Sequence, residues 1–97
     1  MNNLKLNANN EIIKFGLNEI VTLTFKSIDQ KVDTAYSIPK TDLFVRVEEK
    51  LYDEYPEFKD LDNIYFTVNG IKIKRFRSIQ ENNLKNRDKI LLEIYEP

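Results

Sequence analysis

The chain of 97 residues contains neither cysteine nor histidine. Without cysteine there is no disulfide, iron–sulfur cluster or zinc–thiolate site. Without histidine the usual general base and the commonest metal ligand are missing. No apolar run approaches the ~18 residues of a membrane span. The opening Met1-Asn2-Asn3-Leu4-Lys5-Leu6 lacks the apolar core of a secretory signal and the arginine- and serine-rich character of a transit peptide. Net charge is −1, without the basic excess of a dedicated nucleic-acid or membrane-surface protein. These absences disfavour an enzyme, and they imply no cofactor, no nucleic acid and no membrane span. A soluble protein of a reducing compartment is expected, the cytoplasm first.

What is present is a mixed composition, 41% apolar and 32% charged, which suits neither a disordered tail nor a membrane segment. The length allows one domain, since domains cluster near ~100–150 residues. Residues 1–18 hold asparagines at 2, 3, 7, 9, 10 and 18 around a short apolar patch, Ile12-Ile13-Lys14-Phe15. They read as a flexible or accessory arm, leaving 19–97 as the domain.

From Ile20 to Ile28 the residues alternate with period two and are rich in β-branched and aromatic side chains. This predicts a strand with Val21, Leu23 and Phe25 on the core face. Asp29-Gln30-Lys31 reverses the chain into a second strand, Val32 to Ile38, with Thr34, Tyr36 and Ile38 on one face. Pro39-Lys40-Thr41-Asp42 breaks it and offers Thr41 or Asp42 as a helix N-cap. Leu43, Phe44, Val47, Leu51 and Tyr55 then recur at spacings of three and four, one apolar stripe on a helix of about three turns that ends at Pro56. Phe58 and Leu61 pin the following loop.

Ile64, Phe66 and Val68 mark a third strand, and Asn69-Gly70 is a strong two-residue hairpin signal. Ile71 to Lys74 runs back as a short strand. Ser78-Ile79-Gln80-Glu81 is a capping box opening one helical turn, with Leu84 as its buried anchor. Lys89 to Tyr95 closes the domain with Ile90, Leu92 and Ile94 inward. The expected fold class is α+β: ββαββ, a short helical turn and a last β, with a mixed sheet packed on one helix. The expected core is Leu23, Phe25, Phe44, Val47, Leu51, Phe66, Ile73, Leu84, Ile90 and Leu92.

That order resembles the ubiquitin-like β-grasp family. The segment from Ser78-Ile79-Gln80-Glu81 through Leu84 to Ile90-Leu91-Leu92-Glu93-Ile94 is similar to the family's closing segment without a gap. Thr41-Asp42-Leu43-Phe44-Val45-Arg46-Val47 resembles the start of its helix. The likeness spans roughly residues 20–96. The conjugated members end in a flexible di-glycine, whereas this chain closes on Tyr95-Glu96-Pro97 with no glycine after Gly70. The resemblance therefore implies a non-conjugated member. The family's apolar recognition patch falls on Ile28, Thr67 and Glu93, with Leu91 at the position of its histidine. The positions of its main chain-building lysines fall on Ile71 and Asn86.

Several clusters invite sharper readings. Lys72, Lys74, Arg75 and Arg77 form a basic strip in a stretch, 63–90, with seven bases against two acids. The interleaved Ile73 and Phe76 read as core, so the strip reads as a solvated face rather than a nucleic-acid site. Glu48-Glu49, Asp53-Glu54 and Asp60 to Asp62 read as surface charges, because no glycine-centred run of alternating oxygen ligands accompanies them. Tyr65 and Tyr95, expected on the exposed sheet face, suit a protein contact.

The leading expectation is a protein–protein interaction module, an adaptor or small subunit, or a domain of a larger protein. Its partner-binding residues would be Ile28, Tyr65, Thr67, Lys72, Leu91, Glu93 and Tyr95. A Ras-association-type domain binding a small GTPase is the alternative within the same fold, weakened by Asp33 on the second strand with only Lys31 and Lys40 nearby. A conjugated modifier precursor with its tail missing is the third.

Overall fold

A computed structural model describes residues 19–95 of the chain; the N-terminal arm expected over 1–18 lies outside the described residues. The elements are β1 (Ile20–Ser27), β2 (Asp33–Pro39), α1 (Phe44–Glu54), a 3-10 turn (Pro56–Phe58), β3 (Ile64–Val68), β4 (Ile71–Lys72) and β5 (Lys89–Ile94). The fold is α+β, one helix against a five-stranded mixed sheet of order β2-β1-β5-β3-β4. The central pair β1–β5 is parallel, and every other pair is antiparallel.

The β1–β2 turn is closed by side chains. The Ser27 hydroxyl donates to Asp29 Oδ1 at 2.6 Å and accepts the Val32 N–H at 3.0 Å, while the Lys31 N–H reaches Asp29 at 3.1 Å. Between β3 and β4, Asn69 and Gly70 both take the left-handed conformation (φ 52° and 78°), as a tight hairpin requires. β4 is shorter than the sequence suggests. The Asn82 side chain takes the N–H and C=O of Lys74, at 2.8 and 2.9 Å, and draws that residue out of the ladder.

The helix starts later than expected and without a side-chain cap. Leu43, not Thr41 or Asp42, is its N-cap residue, and the reason lies in the backbone. The carbonyls of Lys40 and Asp42 accept the N–H groups of Gln80 and Ile79, so residues 40–42 are held against the chain after Arg77. The first helical N–H groups, of Phe44 and Val45, donate to the carbonyls of Arg77 and Arg75 at 2.9 and 3.0 Å. A neighbouring loop thus satisfies donors that a polar cap normally would.

The capping box forms as its sequence implies. Ser78 N–H donates to Glu81 Oε1 at 2.9 Å and Glu81 N–H to Ser78 Oγ at 3.0 Å. The turn closes with Asn83 at φ 59° and Leu84 N–H on the Ile79 carbonyl, the pairing that ends many helices.

All ten residues expected in the core are buried, joined by Val21, Val32, Ile38, Phe58, Ile64 and Ile79. At its centre Phe25, Phe44 and Phe66 sit with ring centroids 5.4 to 6.0 Å apart, in the tilted and edge-on arrangements that aromatic quadrupoles favour. Other apolar residues depart from expectation. Ile94, placed inward by alternation, is 45% exposed, because β1 pairs with β5 only as far as Leu92 and leaves the last residue of the strand without a neighbour on that side. Phe76 is 71% exposed, since the turn at 75–77 spends its backbone on the helix start and leaves the ring outside. Leu43 and Leu61 are exposed as well. Among the described residues no helix is long and apolar enough to cross a membrane.

Candidate functional site

Strand register decides which side chains share the sheet face turned away from α1. Lys26, Leu91, Thr67 and Lys72 align across β1, β5, β3 and β4, and Asp33 extends the row onto β2. The next row pairs Glu93 with Tyr65. Because successive side chains alternate, Phe66, Ile90 and Leu92 point into the core while these neighbours point out.

The expected partner-binding residues converge on this face, with one exception. Tyr65, Tyr95 and Lys72 line one cleft with Asp62, Asn63 and Ile64. The Lys72 ammonium lies 5.4 Å from the Tyr65 ring centre, within range of a cation–π contact. Tyr95 is 63% exposed, and its backbone is tied to Asn63 by hydrogen bonds of 2.7 and 3.0 Å. On the other side Ile28, 76% exposed, shares a cleft with Leu91 and Lys26 and another with Glu93 and Ile94.

Thr67 is the exception. It belongs to the outer face by register, between Leu91 and Lys72, yet it is buried, its hydroxyl donating to Glu93 Oε2 at 2.8 Å. It orients Glu93 and offers no contact surface of its own.

Electrostatics fix the surrounding groups. The Ser27 hydroxyl and the Lys31 N–H hold the Asp29 carboxyl below its ordinary pKa. Of the basic strip, Arg77 lies 3.9 Å from Glu81 and Arg75 is committed to the buried Glu48. Among the described residues no group of three acids could hold a metal ion.

Arg75 leads to a residue that sequence reasoning misplaced. Glu48, taken for a surface charge, is only 1% exposed. Arg75 binds it through both carboxylate oxygens, Nε to Oε1 at 2.8 Å and Nη2 to Oε2 at 2.6 Å, and the Tyr52 hydroxyl donates to Oε2 at 2.5 Å. The hydrogen bond to Glu48 raises the Arg75 pKa further, and burial followed by the same carboxylate raises that of Tyr52. The signal was available: Glu48 lies four residues after Phe44 and three before Leu51, inside the apolar stripe rather than opposite it.

No protein-family model matches this sequence, and no curated protein does.

Proposed function

We propose that the chain is a ubiquitin-like β-grasp domain that works as a protein–protein interaction module, an adaptor or subunit rather than a catalyst. The gapless likeness of residues 78–94 to that family's closing segment and the strand order β2-β1-β5-β3-β4 with its parallel central pair support the fold reading.

One observation carries the functional reading. Ile28, Tyr65 and the pair Leu91 and Tyr95, from three separate stretches of chain, are brought onto one sheet face around the Glu93 carboxylate. The exposed Ile28 and Tyr95, with the half-buried Tyr65 and Leu91 around one oriented charge, suit a partner with an apolar patch and a basic or hydrogen-bonding group. Glu93 also rejects receptors that offer an apolar surface alone.

The test is capture of the native partner from extract by immobilised protein, identified by mass spectrometry and followed by titration. Tyr65→Ala or Leu91→Ala should weaken binding about thirtyfold, the equivalent of ~2 kcal/mol for a central anchor. Glu49→Ala, on the exposed side of the helix, should leave it unchanged. Loss of the partner in the helix variant, with retention in the sheet variants, would move the site to the acidic helix.

A further inference from the structure

Two apolar features lie near the two ends of α1, one edged by acids and the other flanked in sequence by bases. The first is a groove of about 230 Å³ lined by Ile28, Phe58, Leu92 and Ile94, with Ser27 and the carboxylates of Asp29 and Glu93 at its edges. It adjoins the end of β1 and the 3-10 turn that follows the helix C-terminus. The second is the exposed ring of Phe76, flanked in sequence by Lys74, Arg75 and Arg77. Arg75 and Arg77 carry the carbonyls that receive the first N–H groups of α1. The 11-residue helix thus separates ring from groove by roughly 16 Å at 1.5 Å per residue.

The ring is also held in place. The Arg75 guanidinium, fixed by the buried Glu48, lies 5.7 Å from the Phe76 ring centre. An anchor already positioned loses little freedom on binding. A groove of this volume is large enough for the ring, since an apolar cavity of ~150 Å³ accepts benzene.

We propose that Phe76 of one copy docks in the Ile28–Phe58–Leu92–Ile94 groove of the next, with Lys74 and Arg77 facing Asp29 and Glu93, so that the chain associates head to tail. Ring and groove are different surfaces, so the contact is heterologous. Each added copy leaves one ring and one groove free, and growth continues until geometry closes a ring of subunits. The acid–base rims steer the approach and make association weaken as salt rises. The groove is the cleft by which Ile28 and Glu93 border the sheet face, whereas Phe76 lies outside the set of residues assigned to that face.

The experiment is sedimentation of the full chain from micromolar to millimolar concentration, at low and high salt. The wild type should gain mass past the dimer as concentration rises and lose it as salt is added. Phe76→Ala removes the ring and Ile94→Glu blocks the groove; each variant alone should remain monomeric. Should Ile94→Glu fail to fold, Ile28→Glu, at an exposed turn position, blocks the same groove. Mixed in equal amounts, a ring-less and a groove-blocked variant each keep one working end, so the mixture should form a 1:1 dimer and nothing larger. Tyr65→Ala, which tests the sheet-face reading, should assemble like the wild type. A wild type that stays monomeric to millimolar concentration would overturn the proposal. So would assembly that survives both blocking variants, a mixture that forms no dimer, or assembly lost in Tyr65→Ala.

Discussion

Replacing Arg75 by alanine removes the partner of a buried carboxylate and leaves everything else on the helix in place. Glu48 is 1% exposed and Arg75 is 40% exposed at the side chain. Breaking a fully buried ion pair costs ~3–5 kcal/mol, because the remaining charge has neither water nor a counter-ion. Arg75 approaches from the solvent side, so truncation opens a path for water to Glu48, and Tyr52 keeps its hydrogen bond. Both effects reduce the expected loss to about 2–3 kcal/mol. A domain of this size loses roughly 4–8 °C of Tm per kcal/mol, so melting should fall by about 10–20 °C. Urea unfolding followed by far-UV circular dichroism measures the same quantity at constant temperature. Arg75→Lys should fall between, since an ammonium keeps the charge and loses the two-pronged fit. An Arg75→Ala protein within about 0.5 kcal/mol of wild type, the ordinary range for surface substitutions, would refute the reasoning.

Val47 is fully buried, so Val47→Asp places an unpaired carboxylate in the core at a cost of several kcal/mol, against a total stability of roughly 5–10. It should be unfolded by circular dichroism; a cooperatively melting variant would show the helix face to be wrong. The Tyr36 phenol, pushed up to about 12 by burial and then by its hydrogen bond to Glu54, supports the fold only while neutral. That contribution is complete below its ordinary pKa of 10.0 and is lost as pH rises through about 12. Alkaline titration of unfolding free energy should be shallower over this interval in Tyr36→Phe, and an unchanged slope would exclude the effect.

Much of this architecture was legible because its signals are local. Alternation placed Val21, Leu23 and Phe25 inward; Asn69-Gly70 and Ser78 to Glu81 specified their turns by backbone chemistry alone. The failures share a cause, which is that the deciding partner lies far away in sequence. The helix start is set by carbonyls some thirty residues on, at Arg75 and Arg77, which displaces the cap from Thr41 or Asp42. Phe76 looks like a core residue until that same turn is seen to face outward. Register placed Thr67 on the outer face, yet it is buried and its hydroxyl is bonded to Glu93 across the strands. The outer sheet face was readable as a set of side chains; which of them remain exposed was decided by cross-strand contacts that single-chain periodicity does not encode.

The position of β5 has a consequence for how this chain becomes a protein. The hairpin β1–β2 and the hairpin β3–β4 share no ladder with each other; each pairs with β5, which lies between them. On the ribosome both hairpins emerge before it, each a two-stranded ribbon that is marginal in water. Burial of Phe25 against Phe66 across the sheet must wait until residues 89–94 leave the exit tunnel. Folding is then late and nearly all-or-none, governed by one loop closure that joins β1 to a strand more than sixty residues away. Until that moment the exposed flanks of both ribbons are the natural clients of a chaperone.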